Sequence, residues 1–304
     1  MIKKLQNDIL TSISTTSCCS NAFLSAIISA SKDEITENQI ILTCHTYLYD
    51  KFCTILKKIY PNLHIKFSRQ GLIVSGRDLI EMLNELEIAY FNDGKLEITN
   101  SCNENMLSSE CCKISYLKGV FLCVGNLYYN NDTYGKSQGY SLEFVFNNYQ
   151  LADDVLALLK FMNLNLKSIK RGNNIVLYSK DSQVLVDFLV KVGAVDEAFE
   201  LQNSLVMREI RNDANRKGNC FGANLNKTIN ASVEQVKAID YIISNFGLEY
   251  LDLNLQEVAL LRLSNPDSTL SELQKLYSTT ITRAGLKYKL DKIIAIYKEL
   301  KGVS

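Results

Sequence analysis

Two vicinal cysteine pairs, Cys18-Cys19 and Cys111-Cys112, are the first residues whose types could do chemistry. Thiols act as nucleophiles, as soft metal ligands or as disulfide partners. The nine cysteines are an odd count and no C-x-x-C spacing occurs, so neither a disulfide framework nor a zinc ribbon is expected, and no metal site is assigned. Cys53 and Cys123 lie in apolar runs, where a thiol packs as a small hydrophobe, and this usage points to a reducing, cytoplasmic compartment. The chain has only two histidines. His45 follows Cys44 in a strand-like run, where a Cys-His nucleophile competes with a buried strand residue beside an ordinary polar one, and His64 has no evident partner.

A different chemistry is written near the end of the chain. Thr280, Thr282, Arg283, Lys287, Tyr288, Lys289 and Lys292 cluster with one nearby acid, Asp291. Arginine and lysine reach phosphate oxygens or guanine edges, threonine hydroxyls bond to bases or phosphates, and a helix N-terminus adds donors. The formal net charge is zero, so attraction to nucleic acid must come from such a local patch. A plain solvated face explains the same residues, and both readings stay open on the pattern alone.

The elements that must position this patch are legible. Leu286, Leu290, Ile293, Tyr297 and Leu300 form a stripe at spacings of three and four, which predicts a helix from about Ile281. A helix over roughly Leu255 to Leu263 precedes it, Pro266 breaks the chain, and Thr269 with Glu272 is a capping box for a short helix. Together these spell a helix-turn-helix over residues 251–304. Upstream, residues 196–250 form a basic helical linker with Arg208, Arg211, Arg216 and Lys227. It reads as a long polar helix and a second helix, joined either as rigid helix or by a hinge at Gly218 and Gly222, with Gly247 as a C-cap.

Residues 1–195 read as a two-copy α+β unit, with repeats of about 10–95 and 105–195. Each copy runs from a cysteine pair into an apolar helix, then alternates strand-like and helical segments. The cysteine pairs lie 93 positions apart (111 − 18), and from the first strand onward the offset is about 103, which places Leu42 on Val145, Leu56 on Leu159 and Val74 on Leu177. The polar stretch NNDTYGKSQG is the candidate insertion in the second copy. Ala22, Ala26, Ala30 and Gly119 are small residues at near-helical spacing, so the two post-cysteine helices are expected to pack closely about a pseudo-twofold axis. No long apolar run suggests a membrane span or a secretory leader.

The run YLKGVFLCVGN resembles the helix motif of LAGLIDADG homing endonucleases, with Leu117, Gly119 and Gly125 at its leucine and two glycines. That resemblance implies a fold in which each motif helix ends in a metal-binding acid. Here the two positions are Val124 and Ser31, neither of which holds Mg²⁺, and Asp33 nearby is one displaced carboxylate where a two-metal site needs paired acids. The string VMREIRNDANRKGNCFGANLNKTINASVEQV resembles the signature of the WhiA family of bacterial sporulation and cell-division regulators. Met207, Arg208, Arg211, Asn212, Asn215, Arg216, Asn219, Cys220, Ala223, Asn224, Leu225, Asn226, Lys227 and Thr228 stand in the expected places. ITRAGLKYKLDKI matches as well.

The WhiA resemblance implies a degenerate LAGLIDADG-type domain joined to a helix-turn-helix like sigma-factor region 4. It further implies a DNA-binding transcriptional regulator of cell division and chromosome segregation that is not an enzyme and needs no cofactor. Duplex DNA is the implied partner, with other transcription regulators or RNA polymerase as further candidates, and the nucleoid is the implied location. Departures are Lys217-Gly218, Phe221-Gly222 and a first motif copy, with Ser29, Ser31 and Lys32, that lacks the usual glycines. Looser helix packing is expected there. The alternatives are a protein-binding adaptor, carried by the tyrosines around NLYYNNDTYG, and a residual metal-dependent endonuclease.

Overall fold

The computed structural model describes residues 2–93, 95–99, 101–102, 104–129 and 139–302. Two compact units emerge, Met1–Met207 and Arg208–Ser304.

In the first unit the repeat is structural. After α1 (Ile2–Thr11), the first copy contains α2 (Ser17–Ser31), β1 (Lys32–Ile35), β2 (Gln39–Leu42), α3 (Tyr49–Ile59), β3 (Leu63–Ser68), β4 (Gly71–Gly76) and α4 (Leu79–Glu85). A small hairpin, β5 (Ala89–Asn92) with β6 (Lys95–Ile98), follows. The second copy repeats the order with α5 (Glu110–Val124), β7 (Gly125–Tyr128), β8 (Ser141–Phe146), α6 (Tyr149–Phe161), β9 (Lys167–Arg171), β10 (Asn174–Ser179) and α7 (Ser182–Lys191). Both sheets are antiparallel and equivalent in order, β1-β2-β4-β3 and β7-β8-β10-β9.

Register refines the sequence alignment. Ile40 pairs with Val74 and Phe144 pairs with Leu177. The offset is therefore 104 in this strand (144 − 40) and 103 in the next (177 − 74), so Leu42 falls on Phe146 and not on Val145. Side chains alternate faces along a strand, so a one-residue slip would turn the core set outward. Leu142, Phe144 and Phe146 are the buried positions of β8, as the 104 offset requires. The expected insertion, residues 130–139, lies almost wholly outside the described residues.

α2 and α5 pack against each other at the centre. A Cβ placed on Gly119 would stand 2.7 Å from the Ala26 Cβ and 2.9 Å from the Phe23 carbonyl oxygen. The missing side chain is thus what allows the backbones to meet. Phe23 and Tyr116, each four residues beyond a cysteine pair, are fully buried in the one cluster that fills both repeats. The looser packing expected for the first copy does not occur. Ala22, Ala26, Ile27 and Ile28 are 0 % exposed, and the Ser25 hydroxyl, buried among them, donates to the Leu86 carbonyl at 3.0 Å. Short side chains replace the glycines, and their polar atoms are satisfied locally.

α8 (Val195–Phe246) is a single helix of 52 residues, the rigid-helix alternative and not a hinge at Gly218 and Gly222. Glycine in a helix costs about 1 kcal/mol relative to alanine but does not end it when its neighbours favour the helix. Gly247, with φ of 83°, terminates it as expected. Ala198 and Leu201 join the core of the first unit, and Ile239 and Ile242 join that of the second.

The second unit adds α9 (Leu253–Ser264), α10 (Leu270–Leu276) and α11 (Arg283–Lys301). Thr269 and Glu272 form the predicted capping box. The Thr282 hydroxyl caps α11 by accepting from the Gly285 amide at 3.0 Å. Leu286 and Leu290 pack with Val258 and Leu273, while Ile293 packs with Ile239, Leu255 and Ala259. Arg262, only 2 % exposed, donates to the Ser268 carbonyl at 2.7 Å and reaches Ser232 at 3.5 Å, fastening the α9–α10 loop to α8.

This packing can be checked by stability measurements. Gly119→Ala should destabilise the chain by about 1–3 kcal/mol, because the added methyl overpacks a close backbone approach. Urea unfolding measures the effect, and an unchanged midpoint would contradict the close approach. Thr282→Ala should cost about 1 kcal/mol through removal of the cap. Thr280→Ala, removing an exposed side chain that caps nothing, should leave the unfolding midpoint in place.

Candidate nucleic-acid interface and the ends of the motif helices

The seven residues singled out near the end of the chain divide into two groups. Arg283, Lys287, Tyr288, Thr280 and Thr282 are exposed, with Tyr288 at 70 %. Among the described residues no ion pair engages Arg283 or Lys287. Both project from the first turns of α11, where the helix N-terminus adds its partial positive charge. Lys289 and Lys292 are committed to neighbours. The Lys289 ammonium donates to the Tyr277 hydroxyl at 2.8 Å and stands 4.9 Å from the centre of that ring. Lys292 pairs with Asp252 at 3.4 Å.

Those two interactions help shape the surface. Asp252, Tyr277, Thr280, Tyr288, Lys289 and Lys292 border a shallow depression of about 470 Å³ beside the N-terminal half of α11. The turn that feeds the helix is tied down at its other end, where the Ser278 amide donates to Glu257 at 3.4 Å. Hydrogen bonding from Ser278, aided by Tyr277 and the Lys289 charge, holds the Glu257 carboxyl below its ordinary range. A turn held this way presents Thr280 and Arg283 in a defined orientation before any partner arrives.

On α8, Arg211, Arg216 and Lys227 are exposed and Arg208 is half-buried. Arg216 and Lys217 both reach Asp213, at 3.8 and 2.8 Å, which neutralises part of the local charge.

The motif helices end as the sequence foretells, at Ser31 and Val124. The Ser31 hydroxyl is buried and donates to the Ile27 carbonyl at 2.5 Å. Tyr47 closes the same end by donating to the Leu122 carbonyl at 2.6 Å. Asp33 lies exposed on β1. Cys44 is no activated nucleophile: burial pushes its thiol up to about 11, and His45 stacks on Tyr47 with ring centroids 5.4 Å apart. His45 is exposed, as an ordinary polar residue would be, but it stands at the start of a short 3-10 turn and not in a strand.

The sequence reading missed an assembly at the opposite end of these helices. The thiols of Cys18, Cys19, Cys111 and Cys112 lie within 4.8 Å of one another. A search for C-x-x-C cannot find two vicinal pairs 93 positions apart. The repeat could have revealed them, since equal positions on two helices packed about a pseudo-twofold axis must meet.

Comparison with known proteins agrees with this architecture. Residues 113–211 match the family model described as the WhiA LAGLIDADG-like domain, and residues 214–297 match the WhiA C-terminal HTH domain. A probable cell division protein WhiA from Carboxydothermus hydrogenoformans is 32% identical over 296 residues, covering 94% of this chain and 93% of the relative. Another, from Thermoanaerobacter sp. (strain X514), is 37% identical over 221 residues, covering 73% of this chain and 68% of the relative. The crystal structure of full-length DUF199/WhiA from Thermotoga maritima shares the fold with a TM-score of 0.54 at 21% identity, covering 98% of this chain and 97% of that one. With its duplicated core, its helix-turn-helix and relatives matched along nearly its whole length, this chain belongs to the WhiA family.

Proposed function

We propose that this protein is a DNA-binding cell-division regulator that reads duplex DNA through its helix-turn-helix and leaves the DNA uncut. The observation that carries this reading is the exposed cationic start of α11, where Arg283 and Lys287 flank Thr280 and Tyr288 above a braced turn. In this geometry the helix start faces base edges in the major groove, and the remaining cations reach phosphates. Arg208, Arg211, Arg216 and Lys227 on α8 add phosphate interactions, with Arg216 weakened by Asp213. The relatives' name, probable cell division protein, supports the cellular role. Regulation of transcription and of chromosome segregation, with RNA polymerase or other regulators as partners on the nucleoid, is the fuller form of the proposal.

The opposite role, a nuclease, finds little support at the motif-helix ends. Serine and valine occupy the two positions where metal-binding acids would stand, and Asp33 alone offers one displaced carboxylate.

Fluorescence anisotropy on duplex DNA across a salt series tests the interface. Replacing Arg283 and Lys287 together with Ala should weaken binding at least tenfold, since a base interaction is worth about 1–3 kcal/mol. The slope of log affinity against log salt should also flatten by about 1 for every phosphate that is no longer neutralised. Lys292→Ala should do less, because that charge is shared with Asp252. Unchanged affinity in the Arg283/Lys287 double variant would overturn the assignment. Supercoiled plasmid incubated with the protein and Mg²⁺ or Mn²⁺ should stay intact; metal-dependent nicking that Asp33→Asn abolishes would refute the non-cleaving role.

A further inference from the structure

We propose that Cys18, Cys19, Cys111 and Cys112 form a structural zinc site that joins the two repeats at the N-terminal ends of α2 and α5. The four sulfur atoms lie within 4.8 Å of one another, and every one belongs to a free thiol. Zinc takes four thiolates tetrahedrally at about 2.3 Å, which puts ligand sulfurs about 3.8 Å apart. No sulfur–sulfur separation exceeds that spacing by more than about 1 Å. An iron–sulfur cube, which must fit its own iron and sulfide between the ligands, needs thiolates spread more widely than these. The all-thiolate set is soft and selects a zinc-like ion over the hard divalent cations.

The surroundings suit a cluster of negative charge. Each cysteine pair occupies the second and third positions of its helix, after Thr16 in α2 and after Ser109 in α5. Both helix N-termini thus direct partial positive charge at the sulfurs, which favours thiolate. The Ser109 hydroxyl lies 3.1 Å from the Cys111 sulfur, and the Thr16 hydroxyl 3.8 Å from that of Cys18. Lys118 supplies a whole charge. It is 6 % exposed, its ammonium donates to the Ser12 carbonyl at 2.8 Å and hydroxyl at 3.0 Å, and it interacts electrostatically with Cys19. Among the described residues no carboxylate pairs with this buried cation. A tetrathiolate zinc centre carries two net negative charges, which Lys118 and the two helix ends offset.

Binding is an exchange in which Zn²⁺ enters, the four thiols give up four protons to solvent, and no electron is transferred. Cys19 and Cys112 are buried and Cys18 and Cys111 exposed, so two ligands anchor the ion from within and two cover it from outside. With four protein ligands the coordination sphere is closed, as in structural and not catalytic zinc sites. The site stands at the far end of the motif helices from Ser31 and Val124. It is independent of the DNA-binding proposal, so either can fail alone.

The test uses the full chain, purified without a metal-affinity tag and with air excluded. Elemental analysis should find one zinc per chain. Titration with a mercurial reagent should release that zinc as four thiols react. Reconstitution with Co²⁺ should give the intense ligand-field bands of tetrahedral cobalt, with thiolate-to-cobalt charge transfer. The Cys18→Ser/Cys111→Ser double variant should lose the metal, and Cys220→Ser should keep it. Should the double variant not fold, the cobalt spectrum and the thiol stoichiometry of the unaltered chain still decide. Protein that contains no zinc and takes up Co²⁺ without thiolate charge transfer would overturn the site. So would full zinc occupancy in the folded double variant, or mass-spectrometric detection of a disulfide linking the pairs.

Discussion

Everything in the first unit depends on how closely two helices can approach. The absence of a side chain at Gly119, against Ala26 and the Phe23 carbonyl, sets that distance. Because the approach is so near, each helix becomes the other's apolar surroundings, and one core serves both repeats. The sheets then hang on this pair as equivalent four-stranded units. At one end the same approach gathers four thiols; at the other it brings together two helix termini whose last side chains are a hydroxyl and an isopropyl group. A single packing constraint therefore decides which chemistry the unit can host at each end.

The second unit solves a different problem, which is to hold a short helix and a turn steady while leaving cations free. It does so by dividing the basic residues. Lys289 and Lys292 are engaged within the unit, by Tyr277 and, at the surface, by Asp252, and Arg262 is buried as a brace for the preceding loop. Arg283 and Lys287 remain available. A charged group already held by an internal partner gains less from a phosphate than one facing water, so the division also ranks the interface residues.

Much of this was legible in the residues. The capping box, the stop at Pro266, the apolar stripe of α11 and the duplicated α/β order all follow from local periodicity and turn chemistry, which depend on nearby residues alone. What escaped has a common cause. The register of β2 against β8 turns on one residue, and an apolar run in which Ile40, Ile41 and Leu42 are all buried gives no alternation to fix it. The continuity of α8 through Gly218 and Gly222 reflects neighbours that outweigh two unfavourable residues. The buried roles of Arg262 and Lys118, and the cysteine quartet, arise from interactions between segments distant in the chain. An arginine in the last turn of a helix looks the same in sequence whether it faces water or a ring of carbonyls.

The shared core has a consequence for how the chain is made. A ribosome releases all of α2 well before α5, so the nascent first half emerges with its most apolar helix lacking its counterpart. Until the later segment arrives, that surface is open to self-association or to capture by a holding chaperone.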